Sequence, residues 1–194
     1  MVSRDEGRRQ VQTALALHLL NTGLSRTSLR QLAGAAAISD RMLLYYYTDK
    51  AEALAAAMAA VAAGLAEQLE AAVPSTGLLS ARELVSTAAQ FTIGTAVRPY
   101  MRLWIEVVAA AARGEAPFPL VASQIADGFI AWTETRLDPA GLADPRATAT
   151  GIVALIDGLA VIAVCADEAL VARAAASLGE LVYPQAASFS THSG

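Results

Sequence analysis

The residues best equipped for chemistry lie in the first fifty positions, and the chemistry they suggest is electrostatic. Arg4, Arg8, Arg9, Arg26, Arg30, Arg41 and Lys50 are set there against four acidic residues, a net +3, which leaves −7 for the remainder of a chain whose total is −4. A cationic segment on an acidic remainder reads as an anion-facing head on a carrier. Lys50 is the only lysine; the other thirteen basic residues are arginines. It stands at the start of a helix, where free N–H groups and a mobile ammonium both favour a phosphate. Arg41 suits a different task, because a guanidinium pairs bidentately with the edge of guanine. Its competing uses are a phosphate contact or an ion pair within its own helix.

Other chemistries find less to work with. The single cysteine, Cys165, rules out a disulfide within the chain and a cysteine-based zinc site. Its apolar run, beside Val164, predicts a buried and inert thiol. Of the two histidines, His18 falls in an apolar stripe and reads as a packed core residue, and His192 lies in a polar tail. No P-loop, paired glycine-rich phosphate loop or Glu-x-x-His spacing occurs, so neither metal nor cofactor is expected. The alternative reading is a helical-bundle enzyme or adaptor using carboxylates such as Glu106 and Asp157, converging across helices. An adaptor would leave the cationic head unexplained. The charge-free apolar run Leu159 to Ala166 is about half a bilayer span. The opening MVSRDEGRRQ has no apolar signal core, so a cytoplasmic protein with no membrane segment is expected.

The elements that must carry these residues read almost wholly as helix. Of the 194 residues, 55% are apolar, alanine dominates, and no stretch alternates at period two over a strand length. A first helix is expected from Arg4 to Thr22, ended by Gly23, with Val11, Ala14, Leu15, His18 and Leu19 as its stripe. Two short helices follow, Ser28–Ala35 and Ser39–Tyr47, then a long alanine-rich one from Asp49 to Ala72. Ser80 and Glu83 form a capping box that opens a fifth helix. Pro99 suits the first turn of a sixth, ending near Gly114, and Pro117 and Pro119 precede a seventh, running to Leu137. An eighth (Arg146–Ala166) and a ninth (Glu168–Tyr183) complete an all-α chain of about nine helices. The expected division is a three-helix head, residues 1–48, on a larger bundle, residues 49–194.

Within the head, Leu29 to Tyr46 has helix-turn-helix spacing, with Ala33 at the crossing and Leu32, Ala36, Ile38 and Leu43 facing the shared core. Such a unit lays the start of its second helix in the major groove. The run Gly23, Thr27-Ser28-Leu29-Arg30-Gln31-Leu32-Ala33, Ala36-Ala37-Ile38-Ser39, Leu43-Leu44-Tyr45-Tyr46-Tyr47, Lys50 and Leu54 resembles the N-terminal domain of TetR-family transcriptional regulators, without gaps over about residues 8–55. The resemblance implies that Thr27 and Ser28 begin a helix abutting the DNA backbone, with Arg30 on its outer side. It implies Ser39, Asp40, Arg41 and Met42 at the start of the recognition helix, Tyr45 and Tyr46 on sugar-phosphate, Tyr47 as a wedge into the fourth helix, and Lys50 on a phosphate. Three positions depart from the family pattern: Ala37 stands for a turn glycine, Leu44 replaces a tyrosine, and Asp40 puts a carboxylate near the phosphates.

One small head makes too few contacts for tight specific binding, so paired heads are expected. The eighth and ninth helices offer the pairing surface, through Ile152, Leu155, Ile156, Leu159 and Ile162 and through Ala174, Leu178 and Leu181. Helices five to seven carry Phe91, Met101, Trp104, Phe129 and Trp132, which either pack solidly or line an apolar cavity. Arg102 and Glu106 are the candidates to orient a ligand there, with Gln90 as a third. Taken whole, the resemblance implies a homodimeric repressor of a double-stranded DNA operator, responsive to a small apolar effector.

Overall fold

A computed structural model describes residues 3–73 and 77–182. The chain is all-α: α1 (Arg4–Thr22), α2 (Leu29–Ala35), α3 (Asp40–Tyr46), α4 (Lys50–Ala72), α5 (Ala81–Thr92), α6 (Arg98–Ala112), α7 (Phe118–Arg136), α8 (Pro145–Cys165) and α9 (Glu168–Val182). The expected boundaries agree within two residues, and Gly23 opens a short 3-10 turn, Gly23–Arg26, rather than simply ending α1. Tyr183 and His192 lie outside the described residues.

The short helices exist because their ends are satisfied locally. Ser28 Oγ accepts the Gln31 N–H at 3.3 Å while Gln31 Oε1 accepts the Ser28 N–H at 3.1 Å, a reciprocal cap on α2. Ser39 Oγ accepts the Met42 N–H at 3.2 Å and Asp49 Oδ1 the Glu52 N–H at 2.8 Å, starting α3 and α4. The turn after α2 closes with Ile38 N–H donating to Ala33 O at 3.0 Å and Ala37 N–H to Gly34 O at 3.1 Å. That pair of bonds requires a left-handed residue between them, and Ala37 takes it with φ +53°. Alanine thus holds a glycine conformation, and its Cβ strains the turn.

Seven-residue helices cannot stand alone, so α2 and α3 depend on tertiary packing. Leu15 and Leu19 of α1, Leu32, Leu43 and Tyr47 belong to the same buried cluster as Leu54 and Met58 of α4, Leu103 and Val107 of α6, and Phe118 and Val121 of α7. The hydrophobic core therefore runs unbroken from the head into the bundle. His18 lies at its margin, half-buried, with Nε2 donating to Arg26 O at 2.8 Å, and so ties α1 to the 3-10 turn.

In the bundle, α8 packs on α5 and α7, and α9 on α5 and α8. This arrangement corrects the expected pairing stripe. Ile152 and Leu159 are buried against α5, beside Leu84 and Ala89 respectively, and Ile156, Leu155, Leu178 and Ala174 pack around the same clusters. Because α8 is apolar on every side, its stripe is shared between its own chain and solvent. Ile162 and Leu181 remain exposed, with Val161, Val164 and Leu170. Cys165 is exposed too, not buried: it sits in the last turn of α8, where no helix among the described residues covers it. By length and composition α4 and α8 could each cross a bilayer, so the run Leu159–Ala166 understates how apolar α8 is.

Restoring the residue that the turn prefers gives a direct check. Ala37→Gly should stabilise the chain by about 1 kcal/mol, raising the melting temperature by roughly 2–4 °C in thermal denaturation. A fall would mean that Ala37 does not hold a left-handed angle.

Candidate nucleic-acid interface and effector cavity

On the head, α2 and α3 turn Ser28, Arg30, Ser39, Asp40, Arg41, Met42 and Tyr45 to solvent and bury Leu32 and Leu43 beneath them. Thr27 is half-buried, its hydroxyl donating to Leu24 O at 3.1 Å, and it lines a surface hollow with Lys50, Leu24 and Glu106. Tyr46 departs from the expected backbone contact: its ring is half-buried and its hydroxyl abuts Gly7, where a Cβ would collide with it. Tyr47 is the expected wedge, 1% exposed, with its hydroxyl donating to Arg8 O at 3.4 Å and the Arg8 guanidinium 4.9 Å above its ring.

The head's cations divide into two sets. Arg9 pairs with Glu6 at 2.5 Å and Arg8 with Glu52 at 2.8 Å, while Arg4 donates to Tyr45 O and covers the Tyr45 ring. The Thr48 amide, assisted by Arg8, holds the Glu52 carboxyl below the usual carboxylate range and clamps the start of α4 to α1. Arg26, Arg30, Arg41 and Lys50 make no ion pair among the described residues. The structural cations are thus spent on α1 and α4, and the uncommitted ones flank α2 and α3. For Arg41 this removes the competing ion pair.

In the bundle, a cavity of about 100 Å³ lies between α4, α5, α6, α7 and α8. Phe91, Met101, Trp104, Phe129 and Trp132 all line it. Met58, Val61, Leu65 and Leu69 of α4, with Thr92 and Thr133, were not foreseen; the alanine-rich face of α4 gave no sign that its larger residues point at a void. The room is smaller than the apolar hole of about 150 Å³ that accepts benzene in an engineered protein. It shares Ala62, Ile125, Phe129 and Trp132 with a groove of about 350 Å³ between α4 and α7, lined on the α4 side by alanine.

Three expected ligand contacts fall elsewhere. Arg102 is exposed and faces a groove toward α8 and α9, and Gln90 is exposed on α5. Glu106 points at the head: its Oε2 accepts the Leu24 N–H at 2.7 Å, and its carboxylate fills the space that a Cβ on Gly23 (φ +64°) would need. The physical reason is helical phase, since residues 104 and 106 lie about 200° apart around α6. Trp104 faces the bundle and Glu106 the 3-10 turn. The same phase separates Glu106 from Asp157, so these carboxylates do not converge as a catalytic pair.

Among the described residues, Asp157 is the one charged residue on the cavity wall. Its Oδ1 accepts the Trp104 Nε1–H at 3.0 Å, and burial pushes its carboxyl above the usual carboxylate range despite that hydrogen bond. The signal was present in the sequence, as a lone acid in the middle of a 21-residue apolar helix. On the rim, Trp132 Nε1–H donates to Glu70 at 2.9 Å, and the Arg136 guanidinium pairs with Glu70 while lying over the Trp132 ring.

The sequence matches no family model and no curated protein. The fold does have solved counterparts. A protein described as a TetR-family transcriptional regulator, from Rhodococcus sp., superposes with a TM-score of 0.73 at 19% identity, over 91% of this chain and 98% of its own. A transcriptional regulator from Pseudomonas aeruginosa PAO1 gives 0.70 at 19% identity, over 92% and 89%. The multidrug binding protein EbrR, complexed with proflavin, gives 0.64 at 24% identity, over 89% and 99%. The chain has the all-α fold of these regulators along nearly its whole length.

The raised Asp157 carboxyl makes a signed prediction. A folded-state value above the unfolded one gives stability that is complete at low pH and is lost as pH rises through the folded value. Asp157→Asn, which keeps an acceptor for Trp104 but cannot ionise, should therefore melt above the wild type at neutral pH. That gap should close as pH falls into the ordinary carboxylate range. Thermal melts across pH check this, and a gap that widens on acidification contradicts it.

Proposed function

We propose that this chain is a non-enzymatic transcriptional regulator of the TetR type, a cytoplasmic repressor that binds a palindromic double-stranded DNA operator as a homodimer and responds to a small, largely apolar effector. The observation that carries the proposal is the set of uncommitted cations, Arg26, Arg30, Arg41 and Lys50, around an exposed helix-turn-helix. Ser39, Asp40, Arg41 and Met42 open the helix that enters the major groove, with Arg41 on a base edge and Tyr45 on sugar-phosphate. Thr27, Ser28, Arg30 and Lys50 meet the backbone. Tyr46 supports this surface from behind. Residues 1–48 serve as the DNA-binding part and 49–194 as the effector and pairing part.

The pairing surface is the outward face of α8 and α9. Gly151, Ala154, Gly158, Val161 and Cys165 recur there at alternating three- and four-residue steps, all exposed, with Ile162, Leu170 and Leu181 beside them. Small residues at that rhythm let a second copy of α8 approach closely. A helix whose mean hydropathy over eighteen residues is 2.1 needs such a cover in water.

The effector site is the cavity lined by Phe91, Met101, Trp104, Phe129 and Trp132. The proflavin complex of EbrR supports this, as a ligand-bound counterpart of the same fold. Because the cavity alone is small, an effector must part α4 from α7 or shift α6 to enter. α6 carries Met101 and Trp104 on one side and holds Leu24 through Glu106 on the other. Its displacement on filling reaches the head through that bond.

Two variants test the proposal. Lys50→Ala should weaken binding to every duplex alike in gel-shift titrations with DNA flanking the gene, and reduce the salt slope by about one unit per head. An unchanged slope would take Lys50 out of the phosphate-contacting set. Val161→Glu should yield helical monomers by light scattering; a persistent dimer would place the pairing surface elsewhere.

A further inference from the structure

Asp157 stands on the wall of an otherwise uncharged cavity, and the proposed apolar effector leaves it without a role. A carboxylate has about four acceptor positions. Trp104 Nε1–H engages one, at 3.0 Å, and no other protein donor reaches the side chain among the described residues. A carboxyl in such surroundings is either neutralised by a proton or answered by an opposite charge. Burial drives Asp157 toward the first solution in the empty cavity. The rings of Phe91, Trp104 and Phe129 line the same cavity, and an aromatic face attracts a cation most strongly where water is excluded. Negative charge and aromatic faces ask for the same occupant.

We infer that the effector is a lipophilic organic cation, an aromatic or alkyl body carrying one protonated amine or quaternary nitrogen, with Asp157 as its counter-ion. This rests on the proposal that the cavity is the effector site, and it specifies the ligand class. A neutral body would leave the carboxyl only a proton for company, and an anionic one would be repelled by its charged form. The groove between α4 and α7, which shares Ala62 and Ile125 with the cavity, gives the body room once α4 and α7 part. Were Asp157 present only to hold the Trp104 indole, an asparagine oxygen would serve equally and no charge preference would follow.

Isothermal titration of the purified chain with three matched probes decides it: tryptamine, which is cationic, 3-propylindole, its neutral analogue, and indole-3-propionate, the anion. The wild type should bind tryptamine about tenfold or more tighter than 3-propylindole and should not bind the anion. Asp157→Asn, shown to be folded by a cooperative melt, should bind the amine and its neutral analogue within about threefold of each other. Equal binding of the two by the wild type, a preference for the anion, no binding of any probe, or a cation preference that survives in Asp157→Asn would each overturn the inference. Gel shifts on the same preparations keep the two claims apart. DNA binding without a cation preference removes this inference and leaves the regulator standing, whereas a cation preference without DNA binding does the reverse.

Discussion

The head of this protein has no core of its own. Leu15, Leu32, Leu43 and Tyr47 are buried only because α4 and α6 lie beneath them, with Leu54, Met58, Leu103 and Val107 in the same cluster. Helices as short as α2 and α3 do not persist without such a floor. Everything proposed for the surface above depends on that contact. The cations can face outward because the leucines behind them are held, and what moves α6 must be felt by the turn it supports.

Polar contacts at the same junction give that coupling a direction. Glu106 accepts the Leu24 N–H on one face of α6, while Trp104 meets Asp157 on the other. Gly23 is where this geometry needs glycine, both for its positive φ and for the carboxylate lying against it. On the α1 and α4 side, Arg8, Glu52 and the Thr48 amide form a second clamp. The head is therefore gripped at both ends of its long helix.

Much of this was legible in the residues. Ser28, Ser39, Asp49 and Ser80 announce helix starts by side-chain chemistry that acts over three residues, and the elements follow almost to the residue. The order of small and large apolar residues between Leu29 and Tyr46 contains the turn, and the family resemblance, which puts a glycine at Ala37, pointed to its left-handed angle. What failed was the assignment of faces in the bundle. Periodicity shows that a helix has an apolar side, but α8 is apolar all round, so Ile152, Ile156 and Leu159 could not be told from Val161 and Ile162 without knowing where α5 lies. Glu106 and Arg102 were misplaced for the same reason, since polarity near an aromatic row does not give the phase of a helix relative to its neighbours. Asp157 was offered as a partner of Glu106, from which helical phase separates it, because a lone half-buried carboxylate and half of a catalytic pair look alike in one dimension.

Native-state hydrogen exchange under mild denaturant tests the shared core most directly. If head and bundle are one cooperative body, the slowest amides of α3 and those of α6 around Val107 should converge on a single opening free energy as denaturant rises. Should the α3 amides instead exchange through a separate, much lower-energy opening while α6 stays protected, the head would be an independent unit, and cavity occupancy would have no packed route to the surface it is proposed to control.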